Sequence, residues 1–228
     1  MVDDLGWQDT SVSFWKNETK FNRLYNTPNM EILANMGVKF TNAYATPVCS
    51  PSRISLMTGM NAAKHRVTNW TLNPNKKKPA EINHKIFEFP DWNYNGLSTL
   101  DSISNTIYAT PLPQILKDNG YYTIHAGKAH LGAIGYPSSN PLNIGFDINI
   151  AGHAAGAPQS YLGVDNFGNN NSKNKIWAVP GLEKYHGKDI FLTQALSEEV
   201  LEKLQKPINS KSPFFLYFSL YNVHAPLM

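Results

Sequence analysis

The sequence predicts an α/β fold with a mostly parallel central sheet flanked by helices. Segments with helical periodicity alternate with strand-like segments along the chain, which favours parallel strands joined by crossover helices. The apolar run at residues 214–220 is nearly continuous, as in strands buried on both faces. Hydrophobic residues make up 42% of the 228 residues, which is enough to bury a substantial core.

The first half of the chain contains two predicted helices and one predicted strand. Thr27 can cap a helix in which Pro28 occupies the first position. Residues 38–44 alternate between apolar and polar, as a strand does. A second helix is predicted to begin with Ser50 as its cap. Residues 73–105 have no sustained periodicity, so we predict a long irregular insertion there.

The second half continues the alternation. We predict a helix over residues 111–119, a strand over 121–126, a second irregular insertion over 133–174, a helix over 189–204 and a strand over 214–220. The helix over 189–204 has an apolar stripe formed by Ile190, Leu192, Leu196, Val200, Leu201 and Leu204. Its residues expected to lie mostly outside the core are Glu198, Glu199, Glu202 and Lys203.

Composition excludes several classes of protein. The chain has 20 Lys and Arg against 17 Asp and Glu, and a net charge of +3 is too weak to indicate nucleic acid binding. Its single cysteine, Cys49, excludes an internal disulfide framework. No apolar run approaches the roughly 18 residues of a membrane span. Residues 1–4 show no signal peptide features.

Polar clusters occur where predicted strands end or helices begin. They lie at residues 3–4, 49–53, 128–130 and at His224. Ligands of open α/β sheets bind beyond the carboxyl ends of the strands. The clusters are therefore expected to meet in one site.

Cys49 lies at a predicted helix N-terminus, where backbone N–H groups and the helix dipole favour an anion. Arg53 follows one helical turn later and can return its guanidinium toward Cys49. The alternative is a small buried cysteine with no chemical role. A cysteine-dependent phosphatase loop is excluded, because three residues separate Cys49 from Arg53 and Pro51 interrupts them.

The remaining clusters suggest metal binding, charge neutralisation and proton transfer. Asp3 and Asp4 are hard oxygen ligands suited to Ca²⁺ or Mg²⁺, although a solvated turn is the alternative. Lys128 and His130 share one face of an extended segment and could neutralise an oxyanion and move a proton. The alternative for this pair is a polar strand end. His224 follows the last strand, where a lone histidine is more often a solvated loop residue.

The motifs together resemble a known family, the type I sulfatases of the alkaline-phosphatase-like superfamily. Residues 49–59, Cys-Ser-Pro-Ser-Arg followed by Leu-Met-Thr-Gly at the end, resemble its first signature. Residues 120–130 resemble its second signature, residues 3–7 its metal-binding segment, and residues 224–226 its His-x-Pro element. Residues 27–40 resemble the usual bridge to the nucleophile. The motifs occur in the family's order from end to end of the chain.

The resemblance implies a set of functional residues. Cys49 would be oxidised to formylglycine (3-oxoalanine) and would share a calcium ion, with magnesium as the alternative, with Asp3 and Asp4. The implied catalytic residues are Cys49, Arg53, Lys128, His130 and His224, and the implied substrate contacts are Lys128, His224 and His153. Ala129 departs from the family, which usually has a bulky aromatic residue there, and this change is expected to affect packing alone. The family's further Asp-Asn metal pair has no identifiable match.

The resemblance further implies hydrolysis of sulfate monoesters, on a sulfated small molecule or glycan. A phosphonate or phosphate monoester hydrolase of the same superfamily stays open, as does a non-catalytic protein that binds sulfated glycans. Residues 1–228 would form part of an N-terminal catalytic domain, cut at both ends and lacking the family's C-terminal part. Alone, this fragment is expected to be inactive and to bind calcium poorly. A formylglycine-generating enzyme would be a partner, and a periplasmic or secreted location is expected.

Overall fold

The computed structural model describes residues 1–76, 85–86, 91–170, 173 and 175–226. The chain divides into two compact units, Met1–Asp3 with Thr46–Met228, and Asp4–Ala45. Within the described residues, no helix combines the length and apolarity required to cross a membrane.

The larger unit contains a parallel sheet that confirms the predicted fold class. Its strands are β3 (Tyr122–Gly127), β4 (Ile148–Ile150) and β5 (Phe214–Ser219), in the order β4-β3-β5. Both pairings are parallel, with Ile124 opposite Ile148 on one side and opposite Leu216 on the other. Two short strands, β1 (Leu97–Ser98) and β2 (Ile107–Tyr108), form a separate parallel pair.

The first residues of the chain run beside the end of β5 and the residues that follow it. The Met1 ammonium donates to the carbonyl of Phe218 at 2.7 Å, and the Leu220 amide donates to the carbonyl of Met1 at 2.9 Å. The Asp3 amide then donates to the carbonyl of Asn222 at 2.8 Å. Asp3 is thereby fixed at the carboxyl end of β5.

Helices α1 to α5 are Pro28–Met36, Cys49–Thr58, Ala62–His65, Leu112–Asp118 and Leu192–Asn209. All the helices predicted from the sequence are confirmed, with shifts at their ends. Helix α2 begins at Cys49 with Val48 as its cap, so the prediction that Ser50 caps it was wrong. The Ser50 hydroxyl instead accepts from the amide of Thr71 at 3.1 Å.

The unit formed by residues 4–45 contains α1 and no strand, so the prediction of a strand over residues 38–44 was wrong. Alternation alone forms no strand, because the backbone N–H and C=O groups need a neighbouring strand to pair with. Val38 and Tyr44 accordingly expose 80% and 91% of their surfaces within the described chain. Thr27 precedes α1 as predicted, but its hydroxyl contacts Ser11 rather than capping the helix.

The main core lies between the sheet and α5. Leu192, Leu196 and Val200 of the predicted stripe are buried against β3 and β4, whereas Leu201 is 63% exposed. Glu199 is buried, contrary to its expected position outside the core. It lies one residue before Val200 on the inward face, where Lys184 pairs with its carboxylate.

The two predicted insertions contain short regular elements. Strand β4 lies within residues 133–174, and the alternation of residues 146–150 could have indicated it. Strand β1 lies within residues 73–105, of which 77–84 and 87–90 lie outside the described residues.

Candidate active site

The sequence-predicted residues of the larger unit meet at the carboxyl ends of the parallel strands. Lys128 directly follows β3, and His224 follows β5 by a short turn. Asp3 ends the extended segment beside β5, and α2 supplies Cys49 at its first residue and Arg53 one turn later. Asp4 belongs to the other unit, where it is exposed and has a φ of 59°.

Three charged side chains form a buried cluster, which we call the buried triad: Asp3, Arg53 and Lys128. Arg53 and Lys128 are completely buried, and Asp3 is 4% exposed. The Arg53 Nη2 donates to Asp3 Oδ1 at 2.9 Å, while the Lys128 ammonium pairs with Asp3 Oδ2. The triad carries one surplus positive charge, so the site favours an anion.

The strands hold the buried triad through their polar groups. Arg53 Nη1 donates to the Lys128 carbonyl at 2.7 Å and to the Ser219 hydroxyl at 2.6 Å. The Lys128 amide donates to the carbonyl of Ser219 at 2.8 Å. Gly127 allows this approach, since a Cβ there would lie 1.9 Å from the Ser219 oxygen and its φ is +91°. The carboxyl ends of β3 and β5 therefore fix both cations.

Burial lowers the pKa of Lys128 below its ordinary value. The electrostatic interaction with Cys49 is the largest influence that raises the Lys128 pKa, and Asp3 adds to it, whereas Arg53 lowers the pKa further. Cys49 is partly buried and has no disulfide. The helix N-terminus thus presents Cys49 within the electrostatic reach of Lys128.

One ring nitrogen of His130 is hydrogen-bonded and the other has no partner in the described part of the chain. Its Nε2 lies 2.7 Å from the carbonyl of Thr71, so Nε2 carries the proton. Its Nδ1 is buried and has no hydrogen-bond partner in the described part of the chain. Burial, followed by the positive charge of Lys128, holds the pKa of His130 well below its usual value. The ring is therefore neutral, with a free lone pair on Nδ1.

The loop after β4 packs closely against the His130 ring. A Cβ at Gly156 would lie 2.3 Å from both Cε1 and Nδ1 of His130, so this position requires glycine. The His130 backbone has a φ of 52°, and its amide donates to the carbonyl of His153 at 3.1 Å. The orientation of His130 is thus determined by residues distant in the sequence.

His224 is positioned by Tyr161. The Tyr161 hydroxyl lies 2.7 Å from the carbonyl of His224 and 2.9 Å from that of Tyr221. The charge of His224 also contributes to lowering the pKa of His130, which places the two rings within electrostatic range of each other. Tyr161 is only 2% exposed, so it anchors the turn after β5 from inside the core.

His153 lies at the edge of this site. Burial lowers its pKa to about 4, and its Nε2 has no hydrogen-bond partner among the residues described. The ring borders a cavity of about 480 Å³ that also contacts Ile134 and Lys175. Its carbonyl bonds the His130 amide, so the cavity begins directly beside the buried site.

The carboxylate oxygens of the two aspartates are the type of ligand that calcium binds. Asp3 supplies carboxylate oxygens, which are the ligands Ca²⁺ prefers, and Asp4 follows it directly in the chain. Both Asp3 oxygens already accept from cations, yet each carboxylate oxygen can accept more than one partner. Calcium takes six to eight oxygens, so further ligands beyond these carboxylates are needed.

Sequence reasoning missed several residues of the site. Ser219 carries the one clear signal, because it is a hydroxyl within an otherwise apolar strand. Thr71, Gly156 and Tyr161 lie in loops with no motif, and only their contacts with His130 and His224 reveal them.

Comparisons with known proteins agree on one family. The family model described as Sulfatase matches residues 1–228. N-acetylgalactosamine-6-sulfatase of Mus musculus is 29% identical over 237 residues, covering 100% of this chain and 39% of that protein. Arylsulfatase G of Mus musculus is 28% identical over 253 residues, covering 100% of this chain and 41% of that protein.

Among solved structures, the crystal structure of Ps i-CgsB superimposes with a TM-score of 0.64 and 28% identity, covering 99% of this chain and 44% of that one. The chain therefore spans about two fifths of the length of the relatives it matches.

Proposed function

This chain belongs to the sulfatase family, and from that premise we propose that it carries the nucleophile and the sulfate-binding cations of a sulfuric ester hydrolase acting on a sulfated carbohydrate. Because it spans about two fifths of its relatives' length, the activity is proposed for a longer protein that contains it. The further metal ligands expected for the family would come from that protein.

One observation carries the proposal: a net-positive buried triad lies at a helix N-terminus that begins with Cys49. Two buried polar atoms there, Arg53 Nε and His130 Nδ1, have no partner in the described residues. Buried polar groups are almost always hydrogen-bonded in native proteins, so unpaired ones indicate a missing polar ligand. A sulfate oxygen can accept from Arg53 Nε, whereas His130 Nδ1 is an acceptor and requires a donor such as a hydroxyl group of hydrated formylglycine.

The first chemical step is transfer of the sulfuryl group to the protein. A maturation enzyme converts Cys49 to formylglycine, and the hydrated aldehyde presents two hydroxyl groups. One of them would attack the sulfur as the bond from sulfur to the substrate's alcohol oxygen breaks, and the proton that this hydroxyl loses would balance the one that His224 gives to the leaving oxygen. Lys128 and Arg53 neutralise the charge on the sulfuryl oxygens, and His224 gives a proton to the leaving oxygen.

The second step releases sulfate. His130 Nδ1 accepts the proton of the second hydroxyl, the bond from carbon to the sulfated oxygen breaks, and the aldehyde forms again. A neutral imidazole is required for this role, and the lowered pKa of His130 provides it. The Thr71 carbonyl keeps the other ring proton on Nε2, which leaves the lone pair of Nδ1 able to accept a proton.

We propose that Asp3 and Asp4 hold a calcium ion together with ligands from the rest of the protein. When bound, the ion supplies further positive charge for the sulfate oxygens. A periplasmic, lysosomal or secreted location is proposed because members of the family are mostly exported.

Mass spectrometry of the peptide that contains Cys49 tests the modification directly, after expression of the full-length protein with a maturation enzyme. We expect the mass of the aldehyde, and turnover of an aryl sulfate that is lost in the Cys49→Ala variant. Unmodified thiol in protein that still hydrolyses the ester would refute the proposed nucleophile.

Parallel assays separate the rival functions. Faster turnover of an aryl phosphate than of the aryl sulfate would indicate the phosphate ester hydrolase. Binding of sulfated sugar without turnover, in protein with confirmed formylglycine, would indicate a non-catalytic binding protein.

A further inference from the structure

We infer that Asn149 is a positioning residue for His130, an inference that rests on the proposed sulfatase function and on His130 as the base that releases sulfate. Asn149 is the middle residue of β4, between Ile148 and Ile150. Asparagine is depleted in strands, because its side chain competes with the sheet for backbone groups. Its presence between two isoleucines therefore indicates a specific set of partners.

The side chain of Asn149 closes the turn that follows β4. Asn149 Oδ1 accepts from the amide of Gly152 at 3.0 Å, and Asn149 Nδ2 donates to the carbonyl of Gly152 at 2.8 Å. Between the two residues, Ala151 has a φ of 62°, a conformation that a residue with a Cβ rarely adopts. The hydrogen bonds of Asn149 therefore stabilise a turn that is unfavourable for the backbone alone.

His125 fixes the Asn149 side chain from the neighbouring strand. The two residues lie opposite each other in the sheet, and His125 Nδ1 is 3.1 Å from Asn149 Oδ1. The contacts of Asn149 with Gly152 identify Oδ1 as an acceptor, so His125 Nδ1 carries the proton. The His125 ring is completely buried, and the rings of Phe146 and Tyr217 pack against it with centroids at 5.2 and 5.6 Å. This packing holds the Asn149 amide in one orientation.

Gly152 brings the backbone of the turn into contact with both side chains. A Cβ at this position would overlap His125 Cε1 and Asn149 Oδ1, so the close approach requires glycine. Loss of the Asn149 side chain would therefore remove both the hydrogen bonds and the packing surface of the turn.

The turn leads directly into the residues that hold His130. His153 follows Gly152, and its carbonyl accepts from the His130 amide at 3.1 Å. Gly156 packs against the His130 ring beside Nδ1, the atom proposed to accept the proton in the second step. A displaced turn would therefore move the base relative to the hydroxyl that it deprotonates. Asn149 acts through these contacts and not on the reacting atoms.

The cations of the site are held by different contacts. The Ser219 hydroxyl accepts from Arg53 at 2.6 Å, and the Ser219 carbonyl accepts from the Lys128 amide at 2.8 Å. Loss of Asn149 should therefore slow the release of sulfate, in which His130 acts, and leave the transfer of the sulfuryl group unchanged.

The experiment compares the full-length protein, expressed with a maturation enzyme, with its Asn149→Ala variant. Stopped-flow release of 4-methylumbelliferone from its sulfate ester separates the two steps, because the alcohol leaves in the first. We expect kcat to fall about tenfold and KM to fall with it, so that kcat/KM changes less than about twofold. The first turnover should appear as a burst of about one alcohol per active site.

A second variant, Asn149→Asp, keeps the test independent of the folding of the first. It retains an oxygen that accepts from Gly152 and His125 but loses the donor to the Gly152 carbonyl. Its kcat should lie between those of the unaltered protein and Asn149→Ala. The Tyr221 hydroxyl donates to the Ala151 carbonyl at 2.9 Å, so both variants keep one anchor of the turn.

The matched control is Thr123→Val, at the amino ends of the same two strands. Thr123 Oγ1 donates to the carbonyl of Gly145 at 2.7 Å and accepts from the amide of Asp147 at 2.9 Å. Valine removes these hydrogen bonds with little change in shape. We expect a fall in melting temperature similar to that of Asn149→Ala, with kcat and KM unchanged.

Hydrogen exchange of the His130 amide gives a readout that needs neither formylglycine nor turnover. Because this amide donates to the His153 carbonyl, Asn149→Ala should speed its exchange about tenfold. The amides of β3 that pair with β5 should exchange at their original rates.

Unchanged kcat and unchanged exchange at His130 in folded Asn149→Ala protein would overturn the inference. Equal falls in kcat and kcat/KM, or the same kinetic change in Thr123→Val, would also overturn it, because either result describes general damage to the site. Absence of turnover in unaltered protein with confirmed formylglycine counts against the proposed sulfatase. The exchange rate then decides by itself whether Asn149 holds His130.

Discussion

Two clusters of opposite charges in this chain have similar chemistry and opposite surroundings. The buried triad of Asp3, Arg53 and Lys128 is nearly inaccessible to solvent. The surface cluster consists of Lys184, Glu199, Glu202 and Lys203, in which the Lys184 and Glu202 side chains are 52% and 54% exposed. Lys184 lies 3.0 Å from Glu202, and Lys203 lies 2.6 Å from the same residue.

The pKa values show what burial changes. Hydrogen bonds to Glu199 and Glu202 raise the pKa of Lys184, which loses little hydration at the surface. Burial lowers the pKa of Lys128 despite its contact with Asp3. Removing charges from water is expensive, so the buried triad depends on each of its partners. The surface cluster is screened by water and salt. The same residue types therefore form a buried charged site in the triad and weakly coupled ion pairs in the surface cluster.

The largest effect is expected from Arg53→Met, which leaves Asp3 with one cation fewer. We expect a loss of about 3–5 kcal/mol in the free energy of unfolding, because the Lys128 carbonyl, the Ser219 hydroxyl and Asp3 Oδ1 all lose a buried charged donor. Chemical denaturation of the full-length protein measures it. A loss below about 1 kcal/mol, the typical value for an exposed pair, would show that the buried triad is no more important to stability than the surface cluster.

Acid should destabilise the buried region through its neutral histidines. Burial, followed by the charge of Arg53, lowers the pKa of His125 to about 3. The unfolded chain, with a pKa near 6.5, binds the proton first, so stability is lost as pH falls from about 6.5 toward 3.

The slope from this one histidine is at most about 1.4 kcal/mol per pH unit. His125→Asn removes the titration and keeps a donor for Asn149, whose Oδ1 lies 3.1 Å from His125 Nδ1. Denaturation between pH 7 and 4 should give a shallower slope for the variant. Parallel curves would show that His125 contributes no acid sensitivity.

Tyr161→Phe tests how the core positions His224. Loss of the hydroxyl deprives the carbonyls of Tyr221 and His224 of a donor, and we expect a stability loss of about 1–2 kcal/mol. It should also lower kcat more than it changes KM for an aryl sulfate, because His224 acts on the leaving group.

The control is Tyr94→Phe, which loses a 2.8 Å hydrogen bond to Asn105. It should lower stability by a similar amount with kcat unchanged. An equal fall in kcat for both variants would argue against a positioning role for Tyr161.

The smallest effect is expected from Lys184→Gln in the surface cluster. The change should cost about 1 kcal/mol or less, and the cost should shrink further when salt is raised to about 1 M. Denaturation at two salt concentrations measures this. A salt-independent cost comparable to that of Arg53→Met would mean that the buried Glu199 makes this cluster behave like the triad.

The sequence was sufficient for elements whose signals are local. The helix at 192–209 and the strands at 122–127 and 214–219 were predicted because periodicity and apolar runs reflect burial directly. The strand predicted over residues 38–44 was wrong, because pairing with another strand is not a local property. Glu199 was misplaced because its partner, Lys184, is remote on the chain.

The sequence alone determined the chemical identity of the proposed site. Cys49, Arg53, Lys128, His130 and His224 follow helix starts and strand ends, and the family resemblance proposes them as the site, so this proposal needs no coordinates. Only the tertiary structure decided how these groups are tuned. The pairing of Asp3 with two cations and the free Nδ1 of His130 depend on Ser219, Thr71 and Gly156. Burial and electrostatics arise from surroundings that the chain assembles from distant segments, and no local pattern records them.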